Sequence, residues 1–253
     1  MRAVFPCLVS GLVLAGLAAF ANLMLGPELA PSPPAILSAF MELGRSGELF
    51  RELAITLTRG ALGIFLANLA GFSMGLAAGL VPGALRLISP LVAAFQACPP
   101  ILWISLVMVW AGTGSTVPVA TVFAAAFPFV FSTTAQGVLG LDRRILAMSR
   151  LYAVPESRIF RLVVLPGVFP YWLAGFSTVL AAGWKAAAVA EFLGSHQGIG
   201  ARIFWSYHKL DMEQLNAWAL ALILLGVALE CGVVVPLRRK AAQAGLKDVS
   251  SRA

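Results

Sequence analysis

Few side chains in this sequence could carry catalytic chemistry, and they are scattered along the chain. Cys7, Cys98 and Cys231 lie far apart and both histidines stand alone, so no spacing matches a zinc site or a disulfide framework. No Gly-x-x-x-x-Gly-Lys-Ser/Thr loop occurs, and no lysine follows a glycine. The chain is therefore not expected to bind ATP through a phosphate loop. No convergent set of His, Asp and Ser points to an enzyme. We expect neither a metal nor a cofactor in this chain.

Polar or bent segments inside apolar runs are stronger candidates for function. Lys185 lies in "AAGWKAAAVAEFLG", and a charge within a membrane often marks a substrate path, although a lysine near the end of a span can also snorkel to the interface. In "QACPPILWISLVMVWAGTG" a proline pair interrupts an apolar run. Broken backbone is tolerated in a membrane where it lines a cavity or is buried in protein, so a pore-lining role and a structural kink are both open. The candidate translocation pathway comprises Gln96, Pro99, Pro100, Trp103, Trp184, Lys185 and Glu191.

Composition shows that lipid must be the solvent for much of the chain. Of its 253 residues 60% are hydrophobic and 11% are charged, and the mean hydropathy is +0.90. Soluble domains carry about 25% charged residues. We therefore predict an all-α polytopic membrane protein with a single transmembrane domain over 1–253. The net charge of +7 is interpreted as a topology signal, not as a sign of nucleic-acid binding.

Six apolar runs are long enough to cross a bilayer, which takes about 20 residues. The first run also has features of a cleaved signal peptide, but its apolar part is longer than such peptides use, so we expect a retained helix. The six predicted spans lie at about 4–25, 60–80, 89–111, 117–139, 167–190 and 215–237.

The distribution of charge predicts the orientation of these spans. With the N-terminus inside, the inner segments hold twelve basic and three acidic residues, whereas the outer segments hold five basic and seven acidic residues. Because basic residues accumulate in cytoplasmic loops, both termini are predicted to lie inside. The outer segments are expected to form two helices along the membrane surface, an amphipathic one within 31–59 and one with aromatic anchors over 199–213.

The second predicted span carries small residues at every fourth position. Small residues at this spacing let two helices approach closely in lipid. The partner could be another helix of the same subunit or a second subunit. The ridge comprises Gly63, Ala67, Gly71, Gly75, Gly79 and Gly83.

The segment 141–166 is basic and half apolar, although membrane runs flank it on both sides. It carries five arginines against Asp142 and Glu156. The basic charge alone could be explained as a signal that keeps the segment on the cytoplasmic side. The apolar side chains at its centre favour instead a surface that docks a cytoplasmic partner. The pattern predicts one helix that stops near 154–155 and a second short helix that ends at Pro166.

The end of this segment, "RIFRLVVLPGVFP", resembles the cytoplasmic coupling loop of ABC-transporter inner-membrane permeases. The stretches "PPILWISLVMVWAGTG", "FPFVFSTTAQGVLGLDRRIL" and "GWKAAAVAEFLG" are similar to the nitrate/sulfonate/taurine type, and the resemblance covers about residues 50–240. The family's glutamate falls on Ala147, its two alanines on Met148 and Ser149, and its glycine on Ala153. The resemblance implies that the ATPase-coupling residues are Arg150, Leu151, Tyr152, Ala153, Val154, Pro155, Glu156, Ser157 and Phe160.

The resemblance also implies an ABC type I importer permease fold and a set of partners in a bacterial inner membrane. These are an ATP-binding cassette ATPase dimer that binds ATP, a second permease copy, and an extracytoplasmic solute-binding protein. The implied substrate is a small anion such as nitrate, sulfonate, taurine or bicarbonate. A heterocyclic vitamin precursor is an alternative within the same importer class. An ATP-independent secondary carrier is a further alternative, but Lys185 and Glu230 are too few and too scattered for a charge relay.

Overall fold

A computed structural model describes residues 24, 26 and 29–239 of the chain. Within this part the regular structure is helical throughout, and no strand occurs. The predicted first span at about 4–25, including the choice between a retained helix and a cleaved signal, lies outside the described residues apart from Met24. Cys7 and the basic tail beyond 239 lie outside them as well.

The described helices are joined by short turns. They are α1 Pro33–Arg45, α2 Glu48–Leu80, α3 Ala84–Ala97, α4 Pro100–Ala111, α5 Thr116–Leu139, α6 Arg143–Leu151, α7 Glu156–Gly194, α8 Ile199–His208 and α9 Met212–Arg239. Helices α7 and α9 each contain one turn of π-helix, at Phe160–Val164 and Glu230–Val234.

Four of these helices, α2, α5, α7 and α9, are long and apolar enough to cross a membrane. Helix α5 agrees with the predicted span 117–139 to within one residue, and α9 contains the predicted span 215–237. The other two are longer than predicted. Helix α2 begins at Glu48 instead of near residue 60, and α7 begins at Glu156 instead of near residue 167.

The extension of α7 corrects the expected second short helix of the basic segment. Residues 156–166 do not form a separate helix, because the chain continues through the π turn into the span. Pro166 and Pro170 lie inside this helix and do not end it. Proline is tolerated in membrane helices where a local π adjustment satisfies the freed backbone groups again.

The extension of α2 corrects the expected surface helix within 31–59. That helix is α1 and ends at Arg45, and the turn at Ser46–Gly47 leads directly into α2. Charged residues near the start of α2 had marked this stretch as an outer loop. Glu52 and Arg59 are nevertheless buried, at 0% and 7% exposure, so the helix carries them into the protein interior.

The predicted third span at 89–111 is not a straight helix. Helices α3 and α4 meet at a bend of 93°, and the break falls at Cys98–Pro99, next to the Pro99–Pro100 pair. Both residues at the break are extended, with ψ angles of 118° and 142°. Proline removes a backbone donor and disfavours helical geometry in the residue before it, which accounts for the position of the break.

The ridge of small residues packs α2 against α5 within the same chain. A Cβ atom added to Gly75 would lie 2.6 Å from the backbone oxygen of Phe131, and one added to Gly79 would lie 2.6 Å from Cβ of Val138. Gly63 and Gly71 meet α5 in the same way. Of the two interpretations of this ridge, packing within one subunit is confirmed for these positions.

Gly83, the last residue of the predicted ridge, has a different role. Its φ angle is +84°, and an added Cβ would meet no atom within 4 Å. This left-handed conformation is readily adopted only by glycine, so Gly83 forms the turn between α2 and α3 and takes no part in packing.

Helix α5 lies at the centre of the fold and contacts α2, α3, α4 and α7. Its buried side chains include Val122, Phe127, Val130 and Phe131, which form the main core together with Ile64 and other residues of α2 and α7. Close backbone approach on one side and apolar packing on the others make α2, α5 and α7 a single packed unit.

We predict that Gly75→Ala lowers the free energy of unfolding by about 2–3 kcal/mol, because the new methyl group would overlap a backbone oxygen that cannot rotate away. Gly44→Ala is the matched control. Gly44 is also a helical glycine, but an added Cβ there meets nothing within 4 Å. Thermal unfolding in detergent measures both variants. Equal melting temperatures for the two would contradict the close α2–α5 contact.

Candidate functional site

The turn between α6 and α7 is held by hydrogen bonds between backbone groups. The amide of Val154 donates to the carbonyl of Ser149 and the amide of Ala153 donates to that of Arg150, both at 3.0 Å, which is the Schellman pattern of a helix end. Ala153 has a φ angle of +54°. This left-handed conformation favours glycine, so the position where the resembled loop carries glycine is occupied here by alanine in the same conformation.

Apolar side chains on this turn are not covered by any of the residues that the structure describes. Leu151 is 84% exposed and Tyr152 is 75% exposed, and Ile145 and Met148 are exposed on the same helix. Helix α6 has no buried residue at all. An exposed apolar patch on a defined turn is typical of an interaction surface.

Of the other predicted coupling residues, most are exposed but two are not. Arg150, Pro155, Glu156 and Ser157 are exposed, whereas Val154 is half-buried. Phe160 packs against the buried cluster of Val138, Leu141, Val164 and Val168. The structure therefore places Phe160 beneath the turn, where it fixes the turn to the helical bundle.

Arg150 and Glu156 form an ion pair across the turn, with Nε and Oε1 2.9 Å apart. Both side chains are largely exposed, at 64% and 71%. An exposed pair of this kind contributes little to stability. Its role here is to connect the end of α6 to the start of α7.

The predicted pathway residues do not gather at one place. Gln96 and Lys185 are exposed on α3 and α7. Trp103 stacks on Phe95 with ring centroids 4.7 Å apart, and its buried Nε1 has no hydrogen-bond partner among the described residues. Pro99 and Pro100 are exposed at the break between α3 and α4.

Lys185 and Trp184 occupy neighbouring positions on α7, where Lys185 is exposed and Trp184 is half-buried. The Nζ atom of Lys185 lies 5.6 Å from the ring centroid of Trp184, which is within cation–π range. The ring of Trp184 packs closely on Gly226 of α9. Lys185 makes no ion pair with the described acidic residues.

Glu191 was predicted to line the translocation pathway, and the structure places it in the protein interior instead, with 0% exposure. Its carboxylate accepts a 2.7 Å hydrogen bond from Thr56 and pairs with Arg59 at 3.0 Å. The amide of Gly200 donates to it at 3.4 Å. The carboxylate is thus fully enclosed and is not open to a passing solute.

Arg59 extends this buried cluster to the loops around it. It donates to Ser195 at 3.0 Å and to the carbonyl of Gln197 at 2.6 Å. It also donates to Ser115, just before α5, at 2.8 Å. One guanidinium therefore joins α2, the start of α5 and the end of α7.

Glu52 connects the cluster to α8. Its carboxylate accepts from the amide of Gly198 at 2.6 Å and from Arg202 at 2.8 Å. Gly198 has a φ angle of +100°, and a Cβ added there would collide with the carboxylate of Glu191. Only glycine allows the backbone to approach two carboxylates at this point.

Sequence reasoning missed this cluster apart from Glu191. Its members fall in two stretches more than 130 positions apart, Glu52, Thr56 and Arg59 in one and Ser195 and Arg202 in the other. The two charges on α2 were expected to lie in a loop. The sequence signals that could have indicated it are the isolated Arg59 in an apolar stretch and the Gly198-x-Gly200 pattern after Glu191.

We predict that Glu191→Ala lowers the free energy of unfolding by about 3–5 kcal/mol, because it leaves the buried charge of Arg59 without its partner. Glu156→Ala removes an exposed carboxylate from an ion pair of similar length and should change stability by less than about 1 kcal/mol. Thermal unfolding of the two variants measures the difference. A destabilisation of Glu191→Ala no larger than that of Glu156→Ala would contradict the role assigned to the buried cluster.

Comparisons with known proteins identify the family of this chain. The family model described as binding-protein-dependent transport system inner membrane component matches residues 67–235, more than half of the chain. The taurine transport system permease protein of Escherichia coli is 25% identical over 221 residues, which cover 85% of this chain and 80% of that protein. An aliphatic sulfonates transport permease protein of Bacillus subtilis is 29% identical over 186 residues, which cover 74% of this chain and 65% of that protein.

A solved structure supports the fold. The match is to a chain in the crystal structure of a bacterial ABC transporter involved in the import of the acidic polysaccharide alginate, with a TM-score of 0.67 at 13% identity. It covers 93% of this chain and 95% of that chain. The fold is that of ABC importer permeases, and the protein is a multi-pass membrane protein whose role is transport and not catalysis. The chain belongs to the family of binding-protein-dependent transport system inner membrane components, the permease subunits of ABC transporters.

Proposed function

We propose that this permease couples ATP hydrolysis by a separate subunit to solute import through the turn between α6 and α7. The observation that carries the proposal is the unpartnered apolar surface formed by Leu151 and Tyr152 on a turn with defined backbone geometry. A groove on an ATP-binding cassette subunit is the partner that would cover this surface. ATP would be bound by that subunit and not by this chain.

The structure offers a direct mechanical path from this turn into the membrane domain. The turn leads without a break into α7, a helix of 39 residues. Gly137 and Gly175 hold α7 close to α5, because added Cβ atoms there would meet Tyr171 and Thr133. A displacement of the turn would therefore move α7 and the helices packed on it as a unit, since packed cores resist continuous deformation.

Further partners follow from the family description. A binding-protein-dependent system implies an extracytoplasmic solute-binding protein, and the importer architecture implies two permease copies above an ATPase dimer in a bacterial inner membrane. In this arrangement the turn would lie on the cytoplasmic side, where the distribution of charge also predicts it. The buried cluster around Glu191 lies at the opposite end of α7 and would stabilise the outer side.

For the substrate we propose a small anion of the sulfonate or nitrate class. Relatives named for taurine and aliphatic sulfonates support this class. Lys185 supports it independently, because it is an exposed cation within a predicted span and makes no ion pair with a described acidic residue. An intramembrane charge of this kind favours a pathway for the opposite charge.

We predict that the double variant Leu151→Ala/Tyr152→Ala weakens binding of the ATPase subunit at least about tenfold, because two exposed apolar anchors are lost from the interface. Taurine uptake by the reconstituted complex should fall accordingly. The melting temperature of the permease should not change, since neither side chain is buried.

Tyr207→Ala is the control, since Tyr207 is 55% exposed in α8, beyond the opposite end of α7. It should retain wild-type affinity for the ATPase subunit. Co-purification and titration of the ATPase subunit provide the measurement. Wild-type ATPase affinity and wild-type uptake in the double variant would contradict the docking role of the turn.

A further inference from the structure

A small cleft opens between α3 and the end of α5 that leads to α6. Its volume is about 280 Å³, and four polar side chains line it. The cleft is smaller than the pockets that hold drug-sized ligands, which measure about 300–1,000 Å³. The four polar residues are Ser89 and Gln96 of α3 and Ser132 and Gln136 of α5. We call this set the polar cleft.

The polar residues of α3 and α5 are arranged so that they face one another. Ser89 and Gln96 are seven positions apart, and Ser132 and Gln136 are four positions apart, so each pair lies on one face of its helix. The other face of α3 is apolar, with Leu87 and Leu91 exposed at 78% and 66%. Ser89 and Gln96 therefore lie on the side of α3 that faces α5.

The four side chains have no hydrogen-bond partner among residues 29–239, whereas several other hydroxyls are bonded within their own helix. Ser73, Ser105 and Thr178 each donate to a backbone carbonyl one turn earlier in their own helix. Such internal bonds satisfy a hydroxyl inside a membrane. In the polar cleft two amides and two hydroxyls remain open, and water or a ligand must satisfy them.

We propose that the polar cleft is a second substrate site on the route of the solute, which binds a small oxyanion through uncharged hydrogen-bond donors. This inference rests on the proposed function, because it takes the transported solute to be a small anion. Glutamine amides and serine hydroxyls donate to oxyanion oxygens. No acidic residue lines the cleft to repel an anion.

The absence of a positive charge from the lining has a functional consequence. Neutral donors bind an anion through hydrogen bonds alone, without the added Coulomb attraction of a lysine or arginine. Conduction requires each site to bind well enough for entry and weakly enough for departure. Lys185 lies nine positions before the far end of α7, so it could receive the anion, whereas the polar cleft near the turn would hold it weakly before release.

Cysteine accessibility tests whether the cleft is open to water and occupied by substrate. Cys7, Cys98 and Cys231 are first replaced by serine, and Gln96→Cys or Gln136→Cys is introduced into the complete complex in nanodiscs. An anionic methanethiosulfonate reagent should modify both cysteines, and saturating taurine should slow the reaction at least about fivefold. Leu91→Cys, on the apolar face of α3, is the control and should show no protection by taurine.

An isosteric charge change tests the nature of the ligand. Gln96→Ala and Gln136→Ala should each raise the KM for taurine uptake about tenfold, the effect of one lost hydrogen bond. Gln96→Glu and Gln136→Glu keep the side-chain shape but add a negative charge, and they should reduce uptake more strongly than the alanine variants. Tolerance of the glutamates together with retained KM values would overturn the proposal.

The remaining outcomes separate this proposal from its alternatives. Protection that depends on the phosphatidylglycerol content of the nanodisc, and not on taurine, would assign the cleft to a lipid headgroup. Cysteines that fail to react would show that the second permease copy or hydrocarbon covers the cleft, and would overturn the proposal.

Two further results separate the polar cleft from the proposed function. Normal uptake by the Gln96 and Gln136 variants, with cysteines that taurine does not protect, would refute the substrate site in the polar cleft alone. A wild-type complex that takes up neither taurine nor nitrate would refute the proposed function as well.

Discussion

The absence of water from the bilayer core is the constraint on which this structure depends. Every polar group carried into that region must find a partner inside the protein or open onto an aqueous path. The chain uses both solutions. The carboxylate of Glu191 is enclosed by Thr56, Arg59 and Gly200, whereas the side chains of Gln96 and Gln136 remain open. The first arrangement stabilises the helices at one end, and the second is the site that we propose for the solute near the other.

Close backbone packing connects these two regions. Glycines bring α2 onto α5 at Gly71 and Gly75, and Gly183 brings α7 onto Ile64 of α2. The break at Cys98–Pro99 interrupts this regular packing on one side only, where α3 departs from the direction of α4 by 93°. We therefore propose that a motion applied at the start of α7 reaches the wall of the polar cleft through α5. The buried ionic cluster meanwhile holds the start of α2 against the end of α7.

Much of the helical framework could be predicted from hydropathy and proline positions. The bounds of α5 and the break before Pro100 follow from local properties of the sequence, namely an apolar run of span length and a missing backbone donor. The start of α2 could not be predicted this way. Glu52 and Arg59 look like loop residues until their partners Arg202 and Glu191, well over 100 positions away, are known. The same limit applies to Phe160, whose partial burial depends on Val138 and Leu141 near the end of α5 as well as on residues of its own helix.

The candidate site was predictable only in part for a related reason. The turn at 150–157 was indicated by its charge and its resemblance to a coupling loop, and Gln96 by its place beside the proline pair. Ser89, Ser132 and Gln136 gave no signal, because the periodicity of one helix does not show which face of another helix it meets. Their common orientation toward one cleft is a property of the tertiary structure alone.

The most direct test of this account is the distance between the two turns in an assembled transporter. Spin labels at Arg158→Cys in both permease copies, on a background without native cysteines, report that distance by double electron–electron resonance. We predict that this distance shortens when ATP closes a hydrolysis-deficient ATPase dimer, and that the Leu151→Ala/Tyr152→Ala variant shows no such change. Identical distance distributions with and without ATP in the otherwise unmodified permease would contradict the claim that this turn transmits the motion of the ATPase to the membrane helices.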